Sequence, residues 1–206
     1  ATAAADSIDS EASEAERIAA VIPYYKFKGI DRFYDIGGLL SNIDLFQSCI
    51  DIFVKRYSKL KFDSIGGLDA RGFLIGTPLA LRLKVPFFML RKEGKLPNAT
   101  TGENYKKEYE GDDGAGSDRL CVSKNAIEKG QKVLLIDDLV ATGGTLLAAL
   151  NLVKSQGGSV VEMACLVEIK ALKGFEKAKS VHPEVPSWSL ISEDLLSLNG
   201  DAHTFR

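Results

Sequence analysis

The sequence predicts an α/β protein with a mostly parallel sheet of about five strands flanked by helices. Short apolar runs of strand length alternate along the chain with segments of helical periodicity, and this alternation is typical of βαβ units. The 206 residues suit a single domain at the usual ~100–200 residues per domain, so we expect 1–206 to form one. Hydrophobic residues make up 45% and charged residues 26%, which excludes wholesale disorder and collagen-like structure.

The first part of the chain is predicted to be helical. Residues 1–10 are small and polar, and we expect them to be flexible. From Glu11, apolar residues recur at spacings near three and four as far as Tyr25, which predicts a first helix. The segment 41–44 (SNID) resembles a helix-capping box with Asp in the place of Glu, and the apolar periodicity after it predicts a second helix to Tyr57.

The strands and the remaining helices follow from the apolar pattern further along the chain. The predicted buried strands are 62–65, 85–90, 133–136 and 160–167, and the predicted helices are 71–83, 144–155 and 172–178. A further strand is predicted at 187–192, within a C-terminal extension at 182–206. The region 94–118 fits neither period and is rich in Gly, Asn, Asp and Glu, so we expect an irregular functional loop or insert there.

Charge and cysteine content narrow the class of protein. Lys and Arg total 26 against 28 for Asp and Glu, a balance that argues against a nucleic-acid partner. Three widely spaced cysteines, Cys49, Cys121 and Cys165, indicate neither a zinc ribbon nor a disulfide framework. No apolar run reaches the ~18–20 residues of a membrane span, and the acidic start lacks the cationic residues of a signal peptide. We therefore expect a cytoplasmic protein without a membrane partner.

The segment 133–145 (VLLIDDLVATGGT) carries the strongest chemical signal. A buried strand ends at two adjacent carboxylates, Asp137 and Asp138, and a turn rich in glycine and threonine then opens a helix. Glycines let the backbone approach a ligand closely, and N–H groups at a helix start bind anions. Carboxylates beside an anion loop at the carboxyl edge of a sheet suit a ribose phosphate. The segment lacks the lysine of a Walker A loop, and the glycines at 114 and 116 do not complete a GxGxxG motif.

Two further segments can bind anions. At 67–71 (GLDAR), glycine precedes an acid and an arginine at a strand end, so backbone N–H groups and a guanidinium can face a pyrophosphate. Arg91, Lys92 and Lys95 follow a predicted strand and can neutralise negative charge. On residue types alone, an exposed surface turn is the favoured interpretation of both segments.

These segments give the chain a specific resemblance to a known family. The segment 133–145 is similar to the 5-phosphoribosyl pyrophosphate signature of the type I phosphoribosyltransferases. Segments 33–36 (FYDI), 67–73 (GLDARGF) and 91–97 (RKEGKLP) extend the resemblance over roughly residues 25–178, with the adenine-specific members the most similar. The resemblance implies the type I fold, with a small N-terminal hood over the base and a mobile lid at 97–118. It also implies transfer of the phosphoribosyl group to adenine, which gives AMP and pyrophosphate.

The same resemblance assigns roles to individual residues. For the ribose phosphate, it implies phosphate binding by Ala141, Thr142, Gly143, Gly144 and Thr145 and ribose binding by Asp137 and Asp138. For the other two parts of the reaction, it implies pyrophosphate binding by Asp69, Ala70, Arg71, Arg91 and Lys95 and adenine binding by Arg32, Phe33 and Tyr34. It implies catalysis by Glu108, Arg71 and Lys95, with Tyr109 in the lid. Glu108 would manage the proton that adenine loses as N9 attacks. The resemblance further implies a cis peptide between Asp69 and Ala70, Mg²⁺ held mainly by substrate and water, and a homodimer.

Two alternative functions remain open on sequence grounds. A phosphoribosyltransferase for a 6-oxopurine such as hypoxanthine or guanine would carry the same segment 133–145, because that segment binds the ribose phosphate rather than the base. The adenine assignment therefore depends on the similarity around Phe33, Leu96 and Glu108. A regulator that senses phosphoribosyl pyrophosphate without catalysis would also keep the phosphate loop.

Overall fold

The structure is a computed structural model that describes residues 14–27, 30–106 and 117–197. In chain order the elements are α1 (14–19), β1 (Tyr24–Phe27), β2 (Ile30–Tyr34), α2 (Gly37–Ser41), α3 (Ile43–Tyr57), β3 (Ser64–Leu68), α4 (Gly72–Leu83), β4 (Phe87–Lys92), β5 (Ala99–Lys106), β6 (Ser117–Ser123), β7 (Lys132–Val140), α5 (Gly144–Ser155), β8 (Ser159–Glu168), a 3-10 turn (Lys170–Leu172), α6 (Gly174–Val181), β9 (Ser187–Ser192) and α7 (Glu193–Ser197).

A seven-stranded sheet in the order β5-β6-β4-β3-β7-β8-β9 forms the centre of the fold. The five strands from β4 to β9 in this order pair in parallel, which confirms the predicted parallel sheet of about five strands. β6 joins β4 in antiparallel fashion, and β5 joins β6 in the same way. The strands predicted from apolar runs are all present, and the strand predicted at 187–192 is β9.

Both faces of the sheet are covered by helices, which explains why its strands are apolar without strict alternation. On β7, Leu134 and Ile136 pack into a core with α3 and α4. The intervening residues Val133 and Leu135 pack into a second core with α5 and α6. Full burial of one such side chain contributes roughly 1.5–3 kcal/mol, so the two cores fix the position of β7 from both sides.

The N-terminal region differs from the prediction of one helix extending to Tyr25. Helix α1 ends at residue 19, and Tyr25 lies in β1, which pairs with β2 in a separate two-stranded sheet. Pro23 explains the early end, because proline has no N–H to donate and restricts the residue before it. This hairpin corresponds to the expected N-terminal hood.

The second helix has its cap one residue later than the capping-box pattern predicts. Asn42 is the N-cap of α3, and its side-chain oxygen accepts a hydrogen bond from Leu45 N at 3.1 Å. Ser41 ends α2 instead, and its hydroxyl donates to Gly37 O at 2.9 Å. Asn is as effective a cap as Ser, so the start of the helix remains well defined.

The expectation of an irregular segment at 94–118 is wrong for a large part of it. Residues Ala99–Lys106 form β5 and pair in antiparallel fashion with β6, so they extend the sheet beyond β4. The sequence of β5 (ATTGENYK) is polar because the strand lies at the edge of the sheet and packs only one face on α5. Residues 107–116 are outside the described part of the chain.

Within the described residues, no helix combines the length and the apolar character that crossing a membrane requires.

Trp188 on β9 packs edge-on against Phe53 and Tyr57 of α3, with ring centroids 5.1 and 6.1 Å away. The three cysteines are buried free thiols. Trp188 and the three cysteines thus contribute to the packing of the fold.

Candidate active site

The carboxyl ends of three adjacent parallel strands bring the candidate residues to one edge of the sheet. β3 lies between β4 and β7, with Leu68 opposite Leu90 and Gly67 opposite Ile136. The loops that follow these strands therefore meet at the edge where open α/β proteins bind ligands. Segments that are far apart in the sequence form one continuous surface there.

Arg71 and Asp138 form an ion pair at this edge. Arg71 Nε lies 3.0 Å from Asp138 Oδ2, and the Asp138 side chain is only 4% exposed against 31% for Arg71. Gly72, the first residue of α4, makes this approach possible. A Cβ atom at Gly72 would lie 2.6 Å from Ile136 O and 3.1 Å from Asp137 Cα, so only glycine lets α4 begin directly against the end of β7.

Burial dominates the electrostatics of Asp138. Loss of solvent raises the pKa of its carboxyl group, and the nearby Arg71 guanidinium only partly opposes that rise. Arg71 is at ion-pair distance, yet within the described residues no donor makes a well-aligned hydrogen bond to Asp138 Oδ2. A buried acceptor of this kind suits an incoming hydroxyl donor. Asp137 lies beside it and accepts a hydrogen bond from Asp138 N through Oδ1 at 2.8 Å.

A second ion pair joins the ends of β3 and β4. Arg91 Nε lies 3.0 Å from Asp69 Oδ2, and Arg91 also donates from a terminal guanidinium nitrogen to Lys95 O at 3.3 Å. The peptide bond between Asp69 and Ala70 is cis, as the resemblance implied. Arg91 therefore fixes both the loop after β3 and the turn after β4.

The basic residues after β4 have different environments. Lys92 Nζ pairs with Asp118 Oδ2 on β6 at 3.0 Å, so it helps to hold β6 against β4. Lys95 is exposed, and within the described residues its side chain forms no ion pair. Of the two lysines, Lys95 is thus the one with an ammonium group available to a ligand.

The loop 141–145 has the geometry of an anion site. Gly143 has φ of +75° and is the N-cap of α5, a backbone conformation that favours glycine. In the described part of the chain, no side chain caps the start of α5, and its first turn holds no acidic residue. The N–H groups at this helix end, together with the helix dipole, therefore favour a phosphate.

A residue that the sequence did not indicate shapes this loop from outside. Gly174, at the start of α6, packs against it so closely that a Cβ there would lie 2.9 Å from Gly143 N and closer still to Ala141 O. A Cβ at Gly143 would in turn lie 2.8 Å from Gly174 Cα. The two glycines permit α6 to abut the phosphate loop.

The candidate base-binding residues lie in β2, not in a turn. Phe33 is half-buried, and the Arg71 guanidinium carbon lies 4.7 Å from the centre of its ring. Arg32 is exposed. Tyr34 is only 1% exposed, and its hydroxyl donates to Glu193 Oε1 at 3.4 Å. Burial first, and then Glu193, raises the pKa of Tyr34 to about 12. The side chain of Tyr34 therefore belongs to the core and does not line the exposed edge of the sheet.

The remaining candidates, Glu108 and Tyr109, lie outside the described residues. The structure also reveals Glu193, which the sequence did not single out. No local motif marks this residue, since its contact with Tyr34 joins positions 159 residues apart.

The loops that follow β3, β4 and β7 thus bring two arginines, two adjacent carboxylates and a glycine-rich helix start to one edge of the α/β sheet. Residues 36–194 match the phosphoribosyl transferase domain family, and the chain belongs to this family. It is 44% identical to adenine phosphoribosyltransferase 4 of Arabidopsis thaliana over 157 residues, which cover 76% of this chain and 82% of that protein.

Solved structures agree with this assignment. Adenine phosphoribosyltransferase from Trypanosoma brucei, in complex with AMP, pyrophosphate and ribose-5-phosphate, has a TM-score of 0.85 and 31% identity, covering 94% of this chain and 85% of that one. The Saccharomyces cerevisiae enzyme, in complex with adenine and an imino-altritol bisphosphate, has a TM-score of 0.74 and 36% identity, covering 87% and 99%. Within its family, the chain thus groups with the adenine phosphoribosyltransferases.

Proposed function

We propose that this protein transfers the 5-phosphoribosyl group from phosphoribosyl pyrophosphate to adenine, giving AMP and pyrophosphate in purine salvage. The observation that supports it best is the position of Arg71 between Asp138 and Phe33. Candidate groups for the ribose, the leaving group and the base are contiguous there, directly beside the loop 141–145. The two substrates together carry these three parts: phosphoribosyl pyrophosphate has the ribose and the leaving group, and adenine is the base.

The ribose phosphate is the part of the substrate for which the site is most fully formed. The 5′-phosphate would accept hydrogen bonds from backbone N–H groups of 142–145 and from the hydroxyls of Thr142 and Thr145. The ribose hydroxyls would donate to Asp137 and Asp138, whose Oδ2 is a buried acceptor. Fixing both ends of the sugar places its anomeric carbon in line between base and leaving group.

Departure of pyrophosphate requires positive charge on the side of the ribose that faces away from the attacking base. Arg71, Arg91 and Lys95 supply this charge, with backbone groups of Asp69 and Ala70 lining the loop. Preorganised donors of this kind stabilise charge as it develops in the transition state. For the proton that adenine loses as N9 attacks, we propose Glu108 as the acceptor, on the basis of the family resemblance, with Tyr109 beside it.

Magnesium fits this site as a substrate-borne ion. Within the described residues, no group of three or more Asp, Glu, His or Cys side chains is arranged to hold a metal. Asp69 and Asp138 already pair with arginines, so we propose that Mg²⁺ is held mainly by pyrophosphate and ribose oxygens and by water. The ion would neutralise charge on the departing pyrophosphate.

An exposed apolar face supports the proposal of a homodimer. Leu74 and Leu81 are 43% and 76% exposed on one face of α4, and Met89 of β4 is 39% exposed. The half-buried rings of Phe73 and Phe87 lie edge-on to each other nearby, 6.0 Å apart. We propose that a second copy of the chain covers this face.

We also propose that the protein is cytoplasmic, because its three free thiols would stay reduced in that compartment.

A product assay tests the function directly. The protein is incubated with phosphoribosyl pyrophosphate and Mg²⁺ and offered adenine, hypoxanthine, guanine or orotate in parallel, with chromatography of the nucleotide formed. We expect AMP from adenine alone, and none without Mg²⁺. IMP or GMP as the main product would overturn the base assignment. Binding of phosphoribosyl pyrophosphate without any product would favour a sensor instead of an enzyme.

A further inference from the structure

Glu193, the first residue of α7, joins the C-terminal end of the chain to the N-terminal hairpin. Its Oε1 accepts a hydrogen bond from the Tyr34 hydroxyl at 3.4 Å and lies 3.7 Å from a terminal nitrogen of Arg32. Its Oε2 accepts from Ala171 N at 3.5 Å. The Glu193 side chain is only 16% exposed and Tyr34 is buried, whereas the Arg32 side chain is 49% exposed.

The strand that Glu193 contacts has no hydrogen bonds to the main sheet in the described structure. β1 and β2 form a two-stranded sheet of their own. The place of β2 relative to the phosphate loop is therefore set by side-chain contacts, and Glu193 provides such contacts to Arg32 and Tyr34. Phe33, between them in the sequence, faces Arg71.

The other carboxylate oxygen of Glu193 contacts the segment that precedes α6. Ala171 belongs to the 3-10 turn that leads into α6. Gly174, at the start of α6, packs directly against Ala141 and Gly143. One side chain thus contacts both the strand for the base and the segment that supports the loop for the 5′-phosphate.

We propose that Glu193 is a positioning residue that holds β2, and with it Phe33, at a fixed place relative to the phosphate loop. This inference rests on the proposed function, in which Phe33 and the backbone of β2 contact adenine. A carboxylate suits the position because all three partners are donors: a hydroxyl, a guanidinium and a backbone N–H. The role concerns adenine and AMP. The phosphate loop keeps its own support from the packing of Gly174 against Ala141 and Gly143, so the binding of phosphoribosyl pyrophosphate should not depend on Glu193.

Steady-state kinetics test the proposal through the two substrates separately. Glu193→Ala should raise KM for adenine about tenfold, as expected for loss of a hydrogen bond together with a partly buried ion pair. KM for phosphoribosyl pyrophosphate should change by less than about twofold. Glu193→Gln should lie between wild type and Glu193→Ala, because the amide oxygen still accepts from Tyr34. Tyr34→Phe should raise KM for adenine in the wild-type background but add little to Glu193→Ala.

The neighbouring acid provides a matched control. Asp194 is 78% exposed and pairs with Lys170 Nζ at 2.7 Å, so Asp194→Ala removes an exposed carboxylate from the same helix. We expect its KM for adenine to equal that of wild type. A rise equal to that of Glu193→Ala would overturn the proposal, as would parallel increases of both KM values in Glu193→Ala.

A binding measurement separates this inference from the proposed function. Calorimetry compares AMP, which carries both base and phosphate, with ribose 5-phosphate, which carries the phosphate alone. We expect Glu193→Gln and Tyr34→Phe to weaken AMP binding and to leave ribose 5-phosphate binding unchanged; equal weakening of both, or of neither, contradicts the proposal. Failure of the wild type to form AMP would refute the proposed function itself. The melting temperature of Glu193→Ala shows whether that variant folds.

Discussion

Arg71 and Asp138 form an ion pair in which the aspartate carboxylate is buried and the arginine guanidinium reaches the surface. Arg71 Nε is 3.0 Å from Asp138 Oδ2, and the same guanidinium lies over the Phe33 ring at 4.7 Å. The pair therefore couples the end of β7 to the hairpin strand β2. Its exposed part faces the edge of the sheet where the anion loops meet.

Replacement of Asp138 by asparagine should separate function from stability. Asn is nearly isosteric and has no charge to bury, so the melting temperature should stay within a few degrees of wild type. A charge-assisted hydrogen bond contributes ~1.5–3 kcal/mol, so kcat/KM for phosphoribosyl pyrophosphate should fall roughly 10- to 100-fold. Asp51→Asn is the control, since Asp51 pairs with Arg82 on the surface. Unchanged kinetics in Asp138→Asn would remove Asp138 from the site.

The raised pKa of Asp138 has a consequence for stability against pH. An unfolded Asp titrates near 3.9, and the folded group holds its proton to higher pH. The contribution of Asp138 to stability is thus fully present below the unfolded pKa and is lost as pH rises through the folded pKa. Urea unfolding of wild type and Asp138→Asn between pH 3.5 and neutrality should show this loss in wild type alone. A wild-type protein that gains stability relative to the variant over this range would contradict the direction of the shift.

Gly174→Ala should disturb the phosphate loop from a position that touches no substrate. The added Cβ would lie 2.9 Å from Gly143 N, so the loop or α6 must move, at a cost of about 1–3 kcal/mol in stability. KM for phosphoribosyl pyrophosphate should rise more than KM for adenine. Gly102→Ala is the matched control, because its nearest neighbour would be 3.5 Å away, at ordinary contact distance. Equal behaviour of the two variants would show that the close packing at Gly174 has no effect on the loop.

Lys92, the last residue of β4, and Lys95, in the turn that follows, should respond differently to alanine. Lys95 is exposed and its ammonium group is available, so Lys95→Ala should lower kcat roughly tenfold by removing charge near the departing pyrophosphate. Its stability should change by no more than about 0.5 kcal/mol. Lys92 pairs with Asp118, so Lys92→Ala should cost at most about 1 kcal/mol and leave kcat nearly unchanged. The opposite pattern in single-turnover rates would assign the catalytic charge to Lys92.

The elements that sequence predicted well are those whose signal is local. The run 133–145 contains the strand, both carboxylates and the glycine turn consecutively, so one segment indicates fold and ligand together. β5 was missed because an edge strand with polar residues lacks a clear apolar period, and its pairing with β6 depends on distant residues. The hairpin of β1 and β2 was missed because the apolar spacing around Tyr25 also fits a helix, and Pro23 decides against it.

Contacts between distant segments could not be predicted from any local pattern. Arg91 was a candidate for pyrophosphate, but only the parallel pairing of β3 with β4 places it beside Asp69. The Tyr34 hydroxyl donates a hydrogen bond to Glu193, 159 residues away. The close approach of Gly174 to Gly143 arises from the packing of α6 on the loop, which the residue types do not reveal.

A crystal structure of the protein with AMP, pyrophosphate and Mg²⁺ would test most directly whether this edge of the sheet is the active site. The 5′-phosphate should lie on the backbone of 141–145, the ribose hydroxyls on Asp137 and Asp138, and the pyrophosphate between Arg71 and Arg91. Adenine should lie against Phe33. Density for AMP that places its phosphate away from 141–145, or its ribose out of reach of both aspartates, would contradict the assignment of this edge of the sheet as the active site.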